Sequence, residues 1–176
     1  MATSPSASAV RWRKTMALVV EQGGGSDPAA NAYIDLAYAD AHHALRDRSG
    51  WTGSIAAKTA AVLAATEYLD LSFRWRGERL IPGQPLGWPR RLARDDEGVL
   101  LAGVPAVLRL ACAELAWRAL SGPLLPDLAA GGRPVREKVG EVELAYAPGA
   151  AALPRFPAIE RLLAGLVRPP DPMERA

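Results

Sequence analysis

Residues 105–120, PAVLRLACAELAWRAL, constrain the fold more than any other stretch of the chain. Wound at 3.6 residues per turn, this segment points apolar side chains in almost every direction. Only Glu114 and Arg118, four apart and able to pair, make a narrow polar stripe. A helix of this kind is stable only when other elements wrap it on most sides, so the chain must form a bundle around it. Pro105 suits the first turn, where its missing N–H costs nothing. Arg109, Glu114 and Arg118 interrupt the apolar run too often for it to span a bilayer, and no membrane partner is expected.

The partners for that helix are visible. Asp35 is placed to cap a helix through LAYADAHHALRDR, ending near Gly50, and Ser54 to cap a second through IAAKTAAVLAATEYLDLSF. The second is alanine-rich, which lets neighbouring backbones approach closely. Pro157 opens a short amphipathic helix with Ile159, Leu162, Leu163 and Leu166 on one stripe. That stripe either completes the bundle or docks on a partner. The expected architecture is mainly α: a compact bundle of about four helices with a small hairpin and a long irregular loop. The hairpin is expected near residues 135–147, where VREKVGEVELAY alternates, Gly140 opens a two-residue turn, and Lys138 falls opposite Glu143. Lys138, Gly140, Glu143 and Tyr146 are candidates for an intersubunit contact, since a lone hairpin needs something to lean on. The division is an N-terminal extension (1–15) expected to be disordered, a helical domain (16–167) and a tail (168–176). The apolar run MALVV stops at Glu21 with no cleavage-like site, so no signal peptide is expected. The GGG at 23–25 lacks the Lys-Ser/Thr of a phosphate loop and reads as a flexible connector.

Reactive groups are scarce. His42 and His43 are adjacent, so on a helix they point about 100° apart and cannot chelate one metal from one face; they read as solvated or partly packed. Cys112 is the single cysteine, with no nearby base, and reads as a small core residue. It excludes an intrachain disulfide and four-cysteine zinc sites. Asp95, Asp96 and Glu97 lack a cation-loop pattern and read as a solvated turn. No catalytic constellation, cofactor site or metal site is expected, and the protein is expected not to be an enzyme.

The loop from Arg74 to Gly103 is the exception. Between Phe73 and Arg94 in it, Arg74, Arg76, Arg79, Arg90, Arg91 and Arg94 stand against one acid, Glu78, interleaved with Trp75 and Trp88. Arginine with aromatics suits a single-strand platform, where bases stack on rings and guanidiniums meet phosphates. It equally suits a plug, with Trp75, Trp88 and Pro89 anchoring the loop on the bundle and Arg76, Arg79, Arg90, Arg91 and Arg94 facing DNA or a partner. Net charge is only +2, so any electrostatic role is local.

The ordered series MALVVEQGGG…NAYIDLAYADAHHA, LAATEYLDLSFRWRGERL…QPLGWPR, VPAVLRLACAELAWRAL and VREKVGEVELAYAPGA…FPAIERLLAGL, spanning about Met16 to Val167, resembles a family of small tailed-phage and prophage proteins. These are similar to head–tail connector, or adaptor, proteins, and members are often labelled DnaT-like single-stranded DNA-binding proteins. The connector resemblance implies a structural virion protein in the neck between capsid and tail, made in the host cytoplasm. It would form a ring of about a dozen copies around double-stranded DNA. Its partners would be the portal protein, a stopper or tail-terminator protein and copies of itself. The other label implies a single-strand binder using Trp75, Trp88, Arg76, Arg90 and Arg91.

Overall fold

The all-round apolar segment forms a helix and takes the centre of the molecule. This is a computed structural model, and it describes residues 17–126, 136–139, 142–145 and 155–168. The helices are α1 (Leu36–Ala44), α2 (Ile55–Ser72), α3 (Ala106–Ala119) and α4 (Pro157–Leu163), the last running into a 3₁₀ turn at Ala164–Leu166. Two small antiparallel pairs accompany them. In the loop, β1 (Glu78–Arg79) pairs with β2 (Arg90–Arg91), and farther on β3 (Arg136–Val139) pairs with β4 (Val142–Ala145). The fold is a mainly-α bundle with minor β structure.

α3 packs against α1, α2 and α4. It buries Leu108, Ala111, Cys112, Ala113, Leu115 and Ala116, while Ala61, Val62, Ala65, Thr66 and Leu69 face inward from α2. Small residues on both helices permit the close approach. The Thr66 hydroxyl returns to the Val62 carbonyl at 3.0 Å and lies 3.6 Å from the Cys112 sulfur. Each fully enclosed Leu contributes about 1.5–3 kcal/mol of burial. The caps act as their residue types dictate. Asp35 Oδ1 accepts from the Tyr38 N–H at 2.7 Å, and Ser54 Oγ from the Ala57 N–H at 3.1 Å. Among the described residues no helix is long and apolar enough to cross a membrane.

Four expectations need correction. α1 stops at Ala44, well short of Gly50, because the chain turns sharply there. Arg46 and Arg48 both donate backbone N–H groups to the His43 carbonyl, and Asp47 takes φ of 48°. The histidines of α1 are enclosed rather than solvated. The GGG segment is an ordered turn: Glu21 Oε1 accepts from the Gly23 and Gly25 N–H groups at 2.7 and 2.9 Å, so the loop cradles the chain's own carboxylate. Gly23 has φ of 96°, and a Cβ there would lie 3.1 Å from the Gly103 backbone. Finally, Ile159, Leu163 and Leu166 are buried in the subunit's own core and Leu162 is half-buried against it, so the α4 stripe is not a free docking face.

The hairpin has the expected register, with Lys138 opposite Glu143. Gly140, Tyr146, the 1–15 extension and the tail beyond Arg168 lie outside the described residues.

Candidate nucleic-acid interface

The 74–103 loop is built from the inside outward by its aromatics. Trp88 is fully enclosed and Trp75 nearly so, with ring centroids 6.2 Å apart. A chain of rings continues from Trp75 through Phe73 and Tyr68 to Phe156, tying the loop to α2 and to the start of α4. Pro89 is also enclosed, behind a cis Trp88–Pro89 bond. The three residues proposed as anchors are therefore interior, and neither Trp75 nor Trp88 offers a face to a base.

Beneath Trp88 lies a buried polar network. Tyr33 donates its hydroxyl to Asp70 and accepts from the Trp88 N–H, and the other Asp70 oxygen accepts from the Gly87 N–H at 2.9 Å. Burial raises the Asp70 carboxyl above its ordinary value, against the hydrogen bonds from Tyr33 and Gly87 that pull it down. Burial likewise carries the Tyr33 phenol well above 10, with Asp70 adding to the shift. Gln84, almost fully enclosed, accepts from the Ile81 N–H and donates to the Leu86 and Pro89 carbonyls. These bonds satisfy groups that a plain loop would leave orphaned.

The arginines divide by environment. Arg90 is half-buried and donates to the carbonyls of Arg76 (2.6 Å), Gly77 (2.8 Å) and Gly87 (3.0 Å), so it is a loop staple and does not face freely outward as expected. Burial lowers its pKa first, with the positive charges of Arg168 and Arg79 adding to the fall. Arg168 donates to the same Gly77 carbonyl at 3.0 Å. Arg76 bonds the Val167 carbonyl and pairs with Asp96 at 2.9 Å. Arg91 pairs with Glu78 at 2.8 Å across β1 and β2, and both are exposed. Arg79 and Arg94 are exposed and bond the Gln84 and Gly98 carbonyls.

Arg168 is the member that sequence reasoning missed. It stands at the head of a proline-rich tail, yet the Arg76 N–H bonds the Leu166 carbonyl and the Arg168 N–H the Arg74 carbonyl. Those long-range bonds lay the end of the domain against the loop. Val167, following the apolar stripe of α4, was the one local sign of it.

Burial pushes the Cys112 thiol up to about 12, the opposite of a reactive thiolate. Among the described residues no group of His, Cys, Asp and Glu is placed to hold a metal ion. Asp95 Oδ1 accepts from the Glu97 and Val99 N–H groups, so its carboxylate closes a turn.

A family model covers residues 16–175, nearly the whole chain. The chain belongs to the family described as "Putative DnaT-like ssDNA binding protein". No curated protein and no solved structure matches it. The family's description names single-stranded DNA as the ligand, and the loop that carries six arginines in 74–94 lies within the matched span.

Proposed function

We propose that this protein binds single-stranded DNA without catalysing a reaction, gripping phosphates with guanidiniums on the outside of the 74–103 loop rather than stacking bases on the loop's tryptophans. The meeting of Arg90 and Arg168 on the Gly77 carbonyl, on a loop that also exposes Arg79, Arg91 and Arg94, carries this reading. Arg90 is fixed by three carbonyls and positions its neighbours, while Arg79, Arg91, Arg94 and Arg168 present charge to solvent. Guanidinium forks match phosphate geometry, and a near-neutral chain can still bind through such a local concentration. The family to which the chain belongs supports the choice of ligand. Fluorescence anisotropy of a labelled oligo-dT at low salt tests it. Saturable binding that weakens as salt rises is expected; no binding at the lowest salt would overturn it.

One observation favours a second reading, the head–tail connector. Leu80, Ile81, Leu92, Val99 and Leu100 are exposed on the same loop. Leu92 is 67% exposed and sits at φ of 60°, a region that disfavours branched side chains. Strain that holds an apolar group in water suits a surface made to be covered. In this reading the cover is a neighbouring subunit in a ring, with portal and stopper or tail-terminator proteins above and below. The mass of the chain alone and mixed with portal rings decides: ring-sized complexes support it, and a monomer that ignores portal removes it.

A further inference from the structure

We propose a second strand-contact site, on the side of the bundle where the turn after α1 meets the last turns of α3, formed by Arg46, Arg48 and Arg118 around Trp117 and taking the phosphodiester backbone of single-stranded nucleic acid. It rests on the DNA-binding reading above and adds a surface to it.

Three guanidiniums converge there on one carboxylate. Glu114 Oε2 lies 2.8 Å from Arg48 and 3.1 Å from Arg118, and Oε1 lies 3.0 Å from His42 Nε2 and 3.9 Å from Arg46. One negative charge answers three positive ones, and adding Asp47, which stands between Arg46 and Arg48, still leaves an excess of one. The Glu114 side chain is only 14% exposed and its oxygens are already taken up by these contacts. Arg46 is the outermost of the three, its side chain 41% exposed and hydrogen-bonded to the His42 carbonyl.

The guanidiniums are also aimed. Arg48 lies 4.5 Å and Arg118 5.6 Å from the centre of the Trp117 ring. Stacking on an indole fixes the plane of a guanidinium and leaves its edge donors free for a phosphate. Among the described residues Arg48 bonds Glu114 through Nη1 alone, and Arg118 uses Nη1 alone for the Glu114 carbonyl and carboxylate. Their Nη2 and Nε groups thus remain as donors. Among the described tryptophans Trp51, Trp75 and Trp88 are buried, whereas Trp117 is half-buried. A stacked aromatic–arginine surface with surplus charge is the chemistry that single strands use, rings for bases and forks for phosphates.

Tryptophan emission of the full chain, titrated with oligo-dT at low salt, tests the site, with anisotropy of the same labelled oligonucleotide run beside it. Quenching is expected, with most of it abolished in Trp117→Phe. Arg46→Gln, the least embedded change, is expected to weaken binding several-fold and to make the dependence of log Kd on log salt shallower by about 0.7. Quenching unchanged in Trp117→Phe together with unchanged affinity in Arg46→Gln would overturn the proposal. If Arg91→Ala weakens binding while Arg46→Gln does not, this site fails and the loop reading stands; if the chain does not bind oligo-dT at all, both fail.

Discussion

Trp88 closes the loop onto the bundle, and its truncation measures how much the loop depends on it. The ring is fully enclosed against Trp75 and above the Tyr33–Asp70 pair. Trp88→Ala should lower the unfolding free energy by about 3–5 kcal/mol, read from urea melts; a change near zero would put the ring at the surface. His43 gives the fold a pH signature. Burial, with help from His42 and Arg48, pulls its pKa from 6.5 to about 4, and its Nε2 faces the Ala113 carbonyl at 3.1 Å. Between those two values the unfolded chain holds a proton that the folded chain does not. Stability should therefore fall as pH drops from about 6.5 to about 4, by up to about 1.4 kcal/mol per pH unit, and His43→Gln should flatten that slope. Glu114 acts lower down. Burial pushes it upward, but hydrogen bonds from Arg48, His42 and Arg118 outweigh that and bring it down to about 2 from 4.5. Its contribution is present above about 4.5 and disappears as pH falls toward 2. Of the Glu114 partners only Arg118 is a near neighbour in sequence, so the pattern of residues around position 114 disclosed one of its three arginines.

At the scale of elements, α4 is the informative case. It is seven residues long, too short to persist alone, and it exists because Ile159 and Leu163 enter the core beside α3. Leu163→Ala should cost about 2–5 kcal/mol in the same melts, whereas a stripe reserved for a partner would cost the isolated chain little. The helices were legible because their determinants are local: Asp35 and Ser54 cap, Pro105 and Pro157 start, and alanines alternate with larger apolar residues. The loop was legible only in outline. Its glycines and prolines announce irregularity, but the bonds that shape it join Gly77 to Arg168 and Tyr33 to Trp88. Such pairings leave no periodic trace. Composition likewise could not tell a tryptophan that stacks from one that plugs, because the same ring does either, and burial alone separates them.

In the whole molecule, the proposed role rests on charge set on a shaped surface. The bundle encloses its loop tryptophans, withdraws its one cysteine, and sets arginines outward from a loop fastened at both ends. The six loop arginines were visible as a cluster in the sequence; Arg168 and the α1–α3 group were not, since the fold brings them in from elsewhere. The decisive comparison is the salt dependence of oligo-dT affinity between the natural chain and a variant carrying Arg79→Ala, Arg91→Ala and Arg168→Ala. If these guanidiniums hold the strand, the variant binds more weakly, with a log–log slope shallower by about 0.7 for each phosphate it no longer neutralises. An identical slope and affinity in the two proteins, with the fold intact, would contradict the proposed role of this surface.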